Sequence, residues 1–216
     1  MGFFIRLNAF RGVSQGDVKA ALNDFWSRHD RQVESLPQDP QVDAFDLHEQ
    51  CNGWTAMVWS RGWEWNLRRA AQLHVSRVLD CAGILVFVYD GDDWGYELFD
   101  RGVAVDWFIQ WPREGNSWFP GKDLSGRPEA IVAAFPDLAL QRSDVAPYLV
   151  QGPDDEEAEK LWDVRVRPAD RFSRGQAEVA LDFINLLRVI DVTEEGFVFP
   201  PLWCRFRVEP PPDLEI

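Results

Sequence analysis

Asn52-Gly53 stands between two short apolar runs, one led by Val42, Phe45 and Leu47 and the other running from Trp54 to Ser60. Both residues accept positive φ at low cost, so the dipeptide selects a two-residue hairpin turn whose twist matches that of its strands. No other feature constrains the chain as strongly, because it sets an antiparallel pair into the first half and leaves its neighbours to be connected around it. Upstream, Phe3 to Phe10 are apolar or alternating and run into Gly12, Ser14 and Gly16, the pattern of a strand entering a turn. The period then becomes helical from Ser14 to about Arg31, with Val18, Ala21, Leu22, Phe25 and Trp26 at three- and four-residue spacings. Ser14 and Asp17 make a weak form of the capping box, and Leu36 to Pro40 is rich in turn formers. Downstream of the hairpin the helical period returns in Leu67, Ala70, Ala71, Leu73, His74, Val78 and Leu79. Gly83 to Tyr89, containing Ile-Leu-Val-Phe-Val, is the most strand-like run of all.

That order, strand, helix, strand, strand, helix, strand, resembles the ferredoxin-like split βαβ arrangement, a likeness in element order alone. Right-handed crossovers then place both helices on one face of the sheet. Trp94 to Phe99 and Val103 to Gln110 extend the core as an antiparallel meander, punctuated by Asp90-Gly91-Asp92-Asp93 and Asp100-Arg101-Gly102. The fold class expected is α+β, with a ferredoxin-like βαββαβ core and meander in residues 1–112 and a C-terminal α+β extension in residues 113–216, packed on it as one unit. In the extension, Pro128 opens a short helix to Phe135, and Ser143 to Val150 forms a helical turn. Ser173-Arg174-Gly175-Gln176 caps a helix whose stripe is Val179, Ala180, Phe183, Ile184 and Leu187. A last hairpin pairs Val189 to Val192 with Phe197 to Val208. The ferredoxin-like fold hosts many functions, so the resemblance implies no activity.

Charge excludes more than it assigns. The 216 residues carry 36 acidic and 22 basic side chains, a formal net charge of -14, and a field of that sign repels nucleic acid and anionic lipid. The longest apolar run, Ala82 to Tyr89, is far too short for a bilayer. Cys51, Cys81 and Cys204 are widely spaced without a C-x-x-C pair, the usage of a reducing compartment. The basic residues are 19 Arg and 3 Lys, the bias of a GC-rich genome. A cytoplasmic, bacterial protein without membrane, nucleic acid or cofactor is the expectation.

Asp90, Asp92 and Asp93 form an acidic cluster at a strand end. As a calcium loop it fails, because Arg101 stands at the twelfth position where a bidentate Glu is required. An isolated D-x-D magnesium site, with His48 or Glu49 contributing, defines the alternative of a metal-dependent hydrolase. His29, His48 and His74 lie on three different elements, and His48 beside Cys51 makes a poor nucleophile pair because Cys51 falls in the hairpin turn. P-loop, G-x-S-x-G and G-x-G-x-x-G are absent from the sequence. The 11 Trp are the least ordinary feature, and the alternation of residues 54–60 puts one on each face of its strand. The C-terminal extension is expected to cover the second face. A binding surface is expected from Trp63, Trp65, Trp94, Trp111 and Trp118 together with the acidic run Asp154, Asp155, Glu156 and Glu157. The function read from this is a non-catalytic acidic interaction module, of the kind an immunity protein presents to a basic protein partner. A small-molecule binder with a Trp-lined pocket is the other alternative.

Overall fold

The computed structural model describes residues 5–29, 33–35, 44–59, 65–89, 93–112, 119–152, 176–193, 196–198 and 202–208. It is mixed α+β, an antiparallel sheet with several helices. The strands are β1 (Ile5–Arg11), β2 (Val33–Ser35), β3 (Ala44–His48), β4 (Trp54–Trp59), β5 (Ala82–Tyr89), β6 (Asp93–Asp100), β7 (Val103–Ile109), β8 (Asp191–Thr193), β9 (Gly196–Val198) and β10 (Leu202–Val208). The helices are α1 (Gln15–Ser27), α2 (Trp65–Val78), α3 (Pro128–Ala134), α4 (Arg142–Val145) and α5 (Gln176–Leu186), with single 3-10 turns at Pro136–Leu138 and Ala146–Tyr148. Two compact units divide the chain: Leu7–Ile84 with Phe99–Ala104 and Arg188–Ile216, termed the β1–β4 unit, and Met1–Arg6 with Leu85–Leu98 and Val105–Leu187, termed the β6–β7 unit.

In the β1–β4 unit the sheet order is β2, β10, β3, β4, β1 and then the start of β5. The Asn-Gly hairpin forms as the sequence demands. Asn52 and Gly53 have φ of 50 and 78°, and the Cys51 and Trp54 backbones close the turn with a pair of hydrogen bonds of 2.9 and 2.8 Å. β4 pairs antiparallel with β3 and with β1, in a register that sets Asn8 opposite Met57 and Leu7 opposite Val58. α1 is capped by the Ser14 hydroxyl, which accepts from the Asp17 amide and donates to its carboxylate. Trp26 meets Trp59 edge-on at 6.4 Å, which seats α1 on the Trp59 face of the sheet. α2 packs beside α1.

The hairpin expected between 189–192 and 197–208 is found at its turn, where β8 and β9 pair Val192 with Phe197 and Asp191 with Val198. β10 pairs antiparallel with β3 on one side and β2 on the other. The three-residue β2 in the linker after α1 carries no periodic signal, and it exists because β10 offers it an edge. Short strands are stabilised by their partners more than by propensity.

A buried knot ties α2 to the strands that follow it. The Ser76 hydroxyl donates to the Cys81 carbonyl at 2.6 Å and accepts from the Gly102 amide at 3.0 Å, and the Arg101 amide donates to the same Cys81 carbonyl at 3.1 Å. Gly102 (φ 80°) is required here, since a Cβ would lie 2.4 Å from Arg77 Cβ. Ser76→Ala leaves the Gly102 amide without its acceptor and is expected to cost about 1–3 kcal/mol. Urea unfolding against the parent measures it, and a loss under about 0.5 kcal/mol means that water replaces the hydroxyl.

In the β6–β7 unit β5, β6 and β7 are successive neighbours. Gly95 admits a close approach, because a Cβ there would sit 2.3 Å from the Phe108 carbonyl oxygen and 2.5 Å from the Phe87 ring. The face carrying Trp94 and Tyr96 is covered from the C-terminal side by α5. Phe183 lies 5.3 Å from the Trp94 ring and stacks on Tyr96 at 5.5 Å and 12°, with Phe108 and Tyr148 completing the aromatic layer. Pro128 occupies the first turn of α3, where its missing amide is harmless.

Candidate functional site

Titratable and aromatic side chains meet between α1 and α2. Asp24 follows the helical spacing to Arg28, whose Nε and Nη2 both donate to Asp24 Oδ1 at 3.1 Å. His74 comes across from α2, and its Nε2 lies 2.9 Å from Asp24 Oδ2. Its other ring nitrogen, Nδ1, lies 3.1 Å from Nη2 of Arg77, one turn further along α2. A guanidinium can only donate, so Nδ1 carries the lone pair and the Nε2 proton faces Asp24. The Phe25 ring packs on both histidines, 5.4 Å from His74 and 4.6 Å from His29. Further along, the Arg68 guanidinium sits 5.2 Å over the Trp59 ring.

Burial lowers the His74 pKa from its ordinary value, and this outweighs the hydrogen bond and charge of Asp24, which raise it; Arg77 and Arg28 add to the lowering. His74 is therefore neutral at pH 7. An Asp-His pair is the orienting half of a general-base arrangement. Here Arg77 occupies the nitrogen that would have to face a substrate, so the pair is closed on itself.

The second polar centre is Asp106 in the β6–β7 unit, which is 3% exposed. Its Oδ2 accepts from the Tyr96 hydroxyl at 2.7 Å and from the Arg127 amide at 2.8 Å, and its Oδ1 accepts from Arg127 Nε at 3.1 Å. Burial, and then the Asp106 carboxylate, push the Tyr96 phenol far above its ordinary range, so it stays protonated and keeps donating. On the opposite face of β6, the fully buried Glu97 accepts from the Trp107 indole at 3.0 Å, and Lys122 Nζ lies 4.6 Å over that ring. Both carboxylates hold the chain together. The buried Cys81 thiol is likewise a structural group, raised by burial to about 12 and so protonated at neutral pH.

The residues expected from the sequence fare unevenly. Trp94 is a core residue with no exposure, a layer under Phe183 and not part of a surface. Trp111 is half-buried, its indole ring within 2.7 Å of where a Gly152 side chain would start. Trp65 opens α2. Trp63, Trp118, Asp154, Asp155, Glu156 and Glu157 lie outside the described residues, as do Asp90 and Asp92. Asp93 starts β6 and accepts from the Trp111 amide at 3.4 Å. Among the described residues no three metal-type side chains cluster, and no helix is long and apolar enough to cross a membrane.

Asp24, Arg77, Asp106, Tyr96 and Arg127 were not anticipated. Asp24 to Arg28 and His74 to Arg77 stand at helical spacings readable in the sequence, but the pairing of the two helices that joins them is not. No family model, no curated protein and no solved structure matches the chain.

Proposed function

We propose that this chain is a non-catalytic acidic interaction protein of the bacterial cytoplasm that binds and neutralises a basic protein partner, in the manner of an immunity protein. The acidic surplus carries the reading. Residues 151–216 hold 15 acidic and 8 basic side chains, a net of -7, against 21 and 14, also -7, over residues 1–150, so the C-terminal part is about twice as acidic per residue. The engagement of His74 and Asp106 in structural contacts and the burial that keeps the Cys81 thiol protonated favour binding over chemistry at these groups. A ferredoxin-like core is part of the same proposal, supported by the sheet neighbours β3, β4, β1 and β5 and by the helices that follow β1 and β4.

Affinity capture from the source organism tests the reading, with the parent chain compared against a variant carrying Asp154→Asn, Asp155→Asn, Glu156→Gln and Glu157→Gln. The expected outcome is one basic partner, retained at about 50 mM salt, released well before about 500 mM, and lost in the variant. Capture that is indifferent to both salt and the four substitutions sinks the proposal.

A further inference from the structure

The geometry points to a pH-sensitive latch on α2, in which His74, oriented by Asp24 of α1, holds Arg77 while neutral and releases it when it takes a proton. Asp24 and Arg28 face His74 from α1, with His29 on the same Phe25 ring, and Arg77 faces it from α2. Protonation places a hydrogen on Nδ1, turning the acceptor of the 3.1 Å Arg77 contact into a second donor. The protonated ring then stands between the Asp24 carboxylate, which attracts it, and the Arg77 guanidinium, which it repels. Arg77 is solvent-exposed, so it is the group that moves. Its stem packs against Gly102 in the β6–β7 turn, and its departure also uncovers that turn.

The direction in pH follows from the lowered pKa. Folded His74 holds a proton less readily than an unfolded histidine at about 6.5, so the unfolded or opened chain binds more protons as pH falls. The latch is complete above about pH 6.5 and is progressively lost below it.

Hydrogen exchange on the full chain, corrected for intrinsic rates, compares about pH 7.5 with about pH 5, a range where histidine changes charge and the ordinary aspartate does not. The parent is expected to lose protection at residues 77–78 and at the Arg101 and Gly102 amides of the turn that Arg77 covers on acidification. His74→Gln keeps an acceptor toward Arg77 and a donor toward Asp24 without titrating, and is expected to show no such loss. His29 is present in both chains, so its contribution cancels in the comparison. Arg77→Met keeps the stem over Gly102 and removes the charge, and should raise the pH at which the His74 ring resonances titrate. Equal loss in the parent and His74→Gln overturns the latch. So does a His74 titration that Arg77→Met leaves unmoved, a readout that stands even where the glutamine variant does not fold.

Discussion

Phe183→Ala is expected to destabilise the chain by about 3–5 kcal/mol, the range for deleting a fully buried aromatic side chain. Phe183 has no exposure, and its ring touches Trp94, Tyr96 and Tyr148 at once. Truncation removes the contact area of the ring and leaves a cavity whose rigid aromatic walls collapse poorly. Stacking adds to this, since aromatic pairs contribute about 0.5–1.5 kcal/mol beyond their area. Phe183→Leu refills part of the space and should recover about half of the loss. Equilibrium denaturation followed by Trp fluorescence measures both variants, with Trp94 at the site of change. A cost under about 1 kcal/mol for the alanine variant means that α5 is not what seals this face.

Asp106→Ala is the second large effect, expected at about 3–5 kcal/mol, because it removes one side of a buried network and leaves its donors behind. The asymmetry among those donors is the decisive part. Arg127 is half-exposed and can turn to water, whereas the Tyr96 hydroxyl is buried and cannot. Adding Tyr96→Phe should therefore restore about 1–2 kcal/mol to the Asp106→Ala chain, while the same change in the parent is destabilising. A double variant no more stable than Asp106→Ala alone overturns the account. Gly126 packs against the same hydroxyl, a Cβ there falling 2.9 Å from it, so the loop carrying Arg127 is expected to loosen together with the network.

Local chemistry was legible wherever a short-range rule decided the outcome. Asn52-Gly53 and Arg101-Gly102 both adopt positive φ in two-residue turns, Ser14 caps α1, and Pro128 starts α3. β1, β3–β7 and α2 fall within a residue or two of their hydrophobic periods, whereas α1 ends at Ser27, four residues before Arg31, and β2 has no period to read. The Trp content read ambiguously, since an indole suits a core and an interface equally well. Trp94 resolves as core because α5, some ninety residues later in the chain, brings Phe183 onto it.

Turn geometry, the order of elements from β3 to β7 and the sign of the electrostatic field follow from the residues alone, since each depends on neighbours within a few residues or on a sum over all of them. Which polar groups meet is set by how the elements pack. His74 with Asp24, Asp106 with Tyr96 and Arg127, and β10 with β3 are contacts between segments 10 to about 160 residues apart. Such pairings leave no periodic mark, because each partner taken alone is an ordinary polar residue on a helix, strand or loop. Burial then gives them their energy, since a polar group removed from water must find a partner or lose several hydrogen bonds' worth of solvation.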